Sequence, residues 1–537
     1  MKKVLLIVLV SCLGGALTAQ NVSFTNTNVS TNYQDIGVVD MNGDHLDDLL
    51  SVSRTNIQIF YQQTDGSFIE RDITTPQTAN SPSWSLAAAD YDENGYTDLL
   101  YGGGNGVTFM TANADGTDYT ETSGSQFVFS QRSNFVDINN DGRLDAFVCH
   151  DVEPNVFYIQ DEFGNLIYNQ GGLGDFPSGG HYGSVWIDYD NDRDMDMFIA
   201  KCGGSEARRT NQMHTNNGDG TYTENGAALG LDDPMQTWSS AWGDYNNDGF
   251  MDAWVGASNF NDGFHRLMRN NGDGTFTDVI VGSGLESFNA TGIENATHDF
   301  NNDGNLDIAS NGNILLGNGD FTFTVQSNLL SGSNGAFGDL NGDGFIDAFR
   351  GGTIRYNDSN SNNWVSFATV GTDSNLDGIG ARVEIETATG IQIRDVRSGE
   401  GFEYMSSINT HFGIGTDTEI SSVTVYWPSG AIDIYDQPGQ IVVNKLNVLT
   451  EKETTLGLEE AQVANLILFP NPTTDVLNLS LKNTDGAIYT IFDLTGKRVA
   501  NGFLENASVN VEQLPLGNYF LRIFQDGALQ TQRFVKK

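Results

Sequence analysis

Apolar residues in this chain come in short bursts, each stopped by a polar turn. SLAAAD runs into one acidic stretch and DLLYGG follows it, and the same rhythm returns again and again. Bursts this short, bounded by Asp, Asn and Gly, read as β-strands rather than helices. The polar stretches between them share a nine-residue pattern. In DMNGDHLDD, positions one, three, five and nine are Asp40, Asn42, Asp44 and Asp48. The next runs place Asp90, Asp92, Asn94 and Asp98 there, then Asp137, Asn139, Asp141 and Asp145, then Asp188, Asp190, Asp192 and Asp196. The last three place Asp244, Asn246, Asp248 and Asp252, then Asp299, Asn301, Asp303 and Asp307, then Asp339, Asn341, Asp343 and Asp347.

The seven runs start 50, 47, 51, 56, 55 and 40 residues apart. A period of this size marks a repeat architecture. A second turn signal, Asn-Gly or Asp-Gly between β-rich flanks, recurs within the period, as in HTNNGDGTYTE and RNNGDGTFTD. Each repeat therefore reads strand, acidic loop, strand, connection, strand, turn, strand. Seven such units predict an all-β chain opening with a seven-bladed β-propeller. The seventh repeat supplies three clear strands, and the segment NVSFTNTNVS resembles a fourth. Residues 22–26 are thus expected to complete the last blade and close the ring, which removes exposed strand edges.

Alternating Asp and Asn side chains offer hard oxygen ligands of the kind calcium takes. Position seven varies freely, as expected if only its carbonyl matters. Position six is Gly in five runs and His45 or Arg193 in the other two, which makes loops one and four the least regular. An EF-hand requires a ligating Glu at position twelve. Here that position holds Ser51, Tyr101, Val148, Ile199, Val255, Ser310 and Arg350, which rules the EF-hand out. The expectation is up to seven structural Ca2+ ions, held on one face of the ring and leaving the other face to a partner.

Composition sharpens this picture. The formal charge is −44, and a field of that sign repels nucleic-acid phosphates and anionic lipid, so neither is an expected partner. Aromatic content of 11% argues for packed cores rather than acidic disorder. Residues 1–19 carry two lysines, an apolar run and a terminal small residue, the form of a secretory signal peptide, and no other stretch is apolar and long enough to span a membrane. Two further cysteines, Cys149 and Cys202, are compatible with a disulfide or with two buried thiols.

The acidic repeats over residues 20–360 resemble the FG-GAP/VCBS repeats of the integrin α-chain propeller. That resemblance implies a calcium-stabilised propeller used in adhesion or ligand binding. Residues 363–450 lose the acidic loops, and SNLDGIGARV, HFGIG and VYWPSG resemble the ASPIC/UnbV domain, which follows FG-GAP-type repeats in the cartilage acidic protein family. Within it, Asp373 to Gly378 imitates a metal loop, but Ala381 replaces the ninth acid, so the stretch reads as a turn. After an acidic linker (451–463), residues 464–537 carry F-P-N-P, D-L-x-G-K and L-P-x-G-x-Y before a basic tail. They resemble the type A sorting domain of the type IX secretion system, expected as a small Ig-like β-sandwich. The implied location is secreted or at the outer cell surface, with the type IX machinery as a partner.

No catalytic constellation stands out. His150, His181, His214, His265, His298 and His411 are scattered, and no HExxH helix or nucleophile elbow occurs. The tryptophans before the loops, Trp84, Trp186, Trp238 and Trp242, read as blade core in preference to sugar-stacking platforms. The functional expectation is a calcium-binding scaffold, not an enzyme, that recognises an extracellular protein or glycan. The alternative is a hydrolase or lyase acting on an extracellular polysaccharide.

Overall fold

The computed structural model describes residues 21–452 and 468–537, apart from the short segments 481–486, 493–497, 505–506 and 526–527. The expected signal peptide and nearly all of the expected linker lie outside the described residues. The chain divides into two compact units at Thr454.

The seven repeats of the first unit build seven four-stranded antiparallel sheets. Their inner strands are Gln34–Val39, Leu86–Ala89, Ser130–Val136, His181–Ile187, Thr237–Gly243, Asn295–His298 and Ala336–Gly338. Neighbouring inner strands touch from the second sheet through to the sixth, and the first inner strand meets both the second and the seventh. The sixth and seventh sheets share one core, in which Phe300 and Phe337 meet edge to face. The ring is therefore closed.

The last sheet takes its outer strand from the other end of the chain. Phe24–Asn28 pairs antiparallel with Thr353–Asn357, two residues beyond the expected register, while Val22 drops into the core shared by the last two sheets. Ser23 and Thr25 add hydroxyl hydrogen bonds to Asp358 at 2.8 and 2.7 Å.

Each acidic loop joins an inner strand to the next strand outward. Pairing places the ninth-position Asp opposite the residue that precedes position one, as in Ala89 with Asp98 and Gly243 with Asp252. The ninth Asp is thus the first residue of the second strand, which explains why the spacing never varies. All seven ninth-position carboxylates are at 0% exposure.

Residues 363–450 form two more sheets, one of three strands and one of four, with Asn363–Val370 and Leu446–Thr450 running parallel in the first. Their core is continuous with that of the second and third blades, from Phe109 and Phe135 to Val383 and Trp427. This module sits on the face that carries the acidic loops. Asn409 donates to the His45 carbonyl of loop one at 3.0 Å, Gly415 N–H to Asn302 of loop six at 2.8 Å, and His411 Nε2 lies 2.9 Å from the Gly344 carbonyl of loop seven.

From this cap, residues 396–408 enter the central channel and return. Ser398 bridges to Phe135 on the way in, and Met405 pairs with Gly37 on the way out. At full depth, the buried Arg132 guanidinium donates to the carbonyls of Phe402 and Tyr404 at 3.1 and 2.9 Å. Glu294 accepts the N–H groups of Phe402 and Glu403 at 3.2 and 2.5 Å. Gly399, at φ +100°, passes so close to Arg132 that a Cβ there would collide with the guanidinium. The tip residue Phe402 is fully buried, with ring centroids 5.0 Å from Trp238, 6.1 Å from Trp84 and 6.4 Å from Tyr182. These three rings belong to the mouth opposite the acidic loops. Trp186 and Trp242 are blade core as expected, whereas Trp84 and Trp238 are half-buried around the plug.

The second unit consists of a three-stranded and a four-stranded sheet over one core that includes Leu477, Ile491, Leu521 and Phe534. Among the described residues, no helix is long and apolar enough to cross a membrane. Cys149 and Cys202 are both free thiols, the first buried and the second half-buried.

Candidate metal centres

Loop five, DYNNDGFMD, shows how the sequence folds. Asp244 bends back over the turn and accepts the N–H of Asp248 at 3.0 Å and of Gly249 at 2.7 Å. The ninth residue, Asp252, accepts Tyr245 N–H at 3.0 Å with one oxygen and Asn270 N–H, from the third strand, at 2.8 Å with the other. The same double staple recurs in every loop, for example Asp98 with Tyr91 and Ala112, and Asp347 with Leu340 and Asn357. Sequence reasoning treated position nine as a ligand alone, and its role in tying loop to third strand was missed.

Two positions per loop adopt left-handed backbone. Position six does so throughout, with φ from 68° to 92°, including His45 and Arg193. Position four does so as well, with φ from 55° to 77° at Gly43, Glu93, Asn140, Asn191, Asn247, Asn302 and Gly342. The Asn and Gly preference at position four was a visible signal, since these residues tolerate that region best. Three of these asparagines link loops around the ring: Asn191 donates to Gly249, Asn247 to Gly304 and Asn302 to Gly344, at 3.0, 3.1 and 2.9 Å.

The expected ligands gather to different degrees. Asp90, Asp92 and Asp98 of loop two, and Asp188, Asp190 and Asp196 of loop four, each bring three carboxylate oxygens within 4.8 Å of one another. Loops one, three, five, six and seven carry Asn at position three, whose amide donates to the Asp at position five at 2.8–3.1 Å. Asn246 Oδ1 of loop five is shut off from water with no hydrogen-bond partner. A buried carbonyl oxygen left so is costly unless something fills the turn.

Electrostatics point the same way. Burial pushes Asp98 up to about 9, Asp48 to about 9 and Asp252 to about 8, with the neighbouring loop acids adding to the rise. Asp90 rises to about 7 through burial, with the carboxylates of Asp377 and Asp92 adding to it. Packed, buried carboxylates that resist ionisation form an oxygen-only donor set that suits a hard cation. Loop four departs from the pattern: Asp188 Oδ2 lies 3.3 Å from Arg382, and the Arg193 guanidinium stacks 3.3 Å over the Tyr426 ring.

The histidines do other work. Burial lowers His181 and His411 to about 3 and His214 and His265 to about 4, which keeps those four imidazoles neutral. His298 sits inside the ring with Nε2 2.7 Å from Glu400 of the plug.

Comparison with known proteins follows this division of the chain. The FG-GAP-like repeat model matches residues 40–101, 90–148 and 188–255, the ASPIC and UnbV model residues 371–456, and the secretion system C-terminal sorting domain residues 467–537. Cartilage acidic protein 1 of Homo sapiens is 30% identical over 253 residues, 41% of this chain and 37% of that protein. The Xenopus tropicalis protein of the same name is 28% identical over 256 residues. The match thus spans less than two fifths of the curated relatives' length. Among solved structures, a lectin from Agrocybe aegerita aligns with TM-score 0.40 and 16% identity over 63% of this chain and 86% of that one. The extracellular domain of a one-component system from B. thetaiotaomicron aligns with TM-score 0.40 and 10% identity over 97% of this chain and 58% of that one. The sorting tail marks a secreted or surface protein. The chain joins FG-GAP-like repeats, an ASPIC and UnbV module and a secretion system C-terminal sorting domain, in that order.

Proposed function

We propose that this chain is a calcium-stabilised scaffold, exported through the type IX system, that binds an extracellular protein or glycan through the ring face opposite its acidic loops. One observation carries the reading: the loop face of the ring is covered by the module and the channel is plugged, so the opposite mouth is the ring face left open to a ligand. That mouth is uneven. The loops between second and third strands span residues 202–211 in blade four and 258–265 in blade five, against two or three residues in blades one, two, six and seven. Long loops on a rigid scaffold are where binding residues concentrate. Half-buried Trp84, Tyr182 and Trp238 stand at the centre.

Calcium in the loops would supply the counter-charge that the buried carboxylates lack, holding them ionised and bracing each turn. The test is equilibrium dialysis with calcium on the mature chain, together with a panel of immobilised proteins and polysaccharides assayed for retention and for released products. Retention without products, lost on Trp238→Ala, is the expected result. Product release would replace the scaffold by a polysaccharide-active enzyme, and a calcium-free chain would overturn the cation reading.

A further inference from the structure

The two loops with three converging carboxylates, two and four, are also the two whose first acid is held by a carboxylate from the module. Asp377 Oδ2 accepts the backbone N–H of Asp90 at 2.8 Å, and Asp395 Oδ2 that of Asp188 at 3.3 Å. Asp377 belongs to the stretch that imitates a metal loop and reads in sequence as a plain turn. Loop seven has the same arrangement, with Asp47 of blade one accepting Asp339 N–H at 2.9 Å. A carboxylate behind the first ligand is therefore a repeated device, supplied from within the ring at its closure and from the module at loops two and four.

We propose that the module forms the outer coordination sphere of loops two and four, so that cation binding there and docking of the module are one coupled equilibrium. The inference rests on the calcium reading given above. Without a cation, Asp377 faces the acids of loop two, and this like-charge contact opposes docking. A divalent cation between Asp90, Asp92 and Asp98 turns the repulsion into attraction. Coupling is reciprocal: the docked module then raises cation affinity by the factor by which the cation favours docking. Outer-sphere partners of this kind change metal affinity by ~10- to 100-fold when replaced.

Loop four carries its own compensation. Arg382 of the module donates to the Asp188 carbonyl at 2.5 Å, lies 3.3 Å from Asp188 Oδ2 and pairs with Asp395 at 2.6 Å. A guanidinium already supplies positive charge there, so docking at loop four depends less on calcium than docking at loop two. The two contacts therefore respond to substitution in opposite senses.

The experiment measures calcium affinity by dialysis and hydrogen exchange of residues 396–408 with and without calcium, on the wild-type chain, Asp377→Asn and Arg382→Gln. Calcium is expected to slow exchange of the plug in the wild type. Asp377→Asn should weaken one class of site ~10-fold and shrink that protection. Arg382→Gln should enlarge the calcium dependence, because the undocked state gains most when calcium is absent. A wild-type chain that binds calcium with plug exchange unchanged overturns the coupling while leaving the calcium reading intact. Two variants that shift calcium dependence in the same direction also overturn it, since general destabilisation would do that. A wild type that binds no calcium overturns both. Should Arg382→Gln fail to fold, the Asp377→Asn result alone decides.

Discussion

Replacing Asp252 with Asn separates the two roles that the ninth position combines. The side chain is fully buried and gives one oxygen to Tyr245 N–H at 3.0 Å and the other to Asn270 N–H at 2.8 Å. Asn keeps one acceptor and turns an N–H₂ group toward the second backbone donor. Losing one charge-assisted hydrogen bond costs about 1.5–3 kcal/mol, and the donor left buried without a partner adds about 1–3 kcal/mol. In calcium the loss is larger, because a cation ligand goes as well, and in chelator it is about 3 kcal/mol. In a unit of this size that corresponds to a fall in melting temperature of about 3 °C. Asp248 provides the contrast. Its exposed side chain accepts hydrogen bonds only from Asn246 and Phe250 of its own loop, so Asp248→Asn should shift stability by under about 0.5 kcal/mol in chelator. With calcium present, it removes a carboxylate ligand and loses the stabilisation that a tighter cation provides. Calorimetry of both variants in calcium and in chelator reads the difference. It is best done at about pH 9, above the value near 8 to which burial raises Asp252, so that the carboxylate is ionised in both media. If Asp252→Asn is silent in chelator, or Asp248→Asn matches it there, the double staple does not contribute as argued.

Other consequences are as direct. Asp48, Asp98 and Asp145 titrate at about 9, 9 and 7 in the fold, above the ordinary carboxylate range, so the folded chain binds more protons than the unfolded one. Stability must then fall as pH rises between about 4 and 9. Melting temperatures in chelator should follow that slope and flatten in calcium; a rise with pH in chelator would contradict it. Phe402→Ala removes a fully buried ring from the Trp84, Tyr182 and Trp238 cluster and should cost about 3–5 kcal/mol, read by calorimetry. Hydrogen exchange in that variant should rise first in residues 396–408. A similar cost with exchange spread evenly over the blades would count against the plug as a distinct element.

Much of the ring was legible because its signals are local. The nine-residue spacing is imposed by a strand pair that closes between position zero and position nine, so Gly243 and Asp252 announce each other in sequence. The closing strand was legible within two residues, because NVSFTNTNVS carries the composition of a fourth strand. The plug was not legible. SGEGFEYMSS has no strand or helix period, and its conformation is set by partners such as Arg132 and Glu294, far away in the chain. Arg193 looked like a defect in a metal loop. Its side chain is used instead to stack on Tyr426 of the module, a contact that leaves no mark on local spacing. Trp84 and Trp238 stand six residues before their loops and Trp186 and Trp242 only two, which puts the pairs at opposite ends of the inner strands, but only the plug shows what the first pair packs against.

The strand Phe24–Asn28 finds its partner only at Thr353–Asn357, so the wheel stays open until all seven repeats have been made. Pairing across such a separation is slow to form, because the entropy of closing the loop is lost before any contact is gained. Once formed, it leaves no loose blade from which unravelling can start. A nascent or translocating chain therefore carries its first strand unpaired, and a truncation that stops short of Thr353 leaves that strand without its native partner.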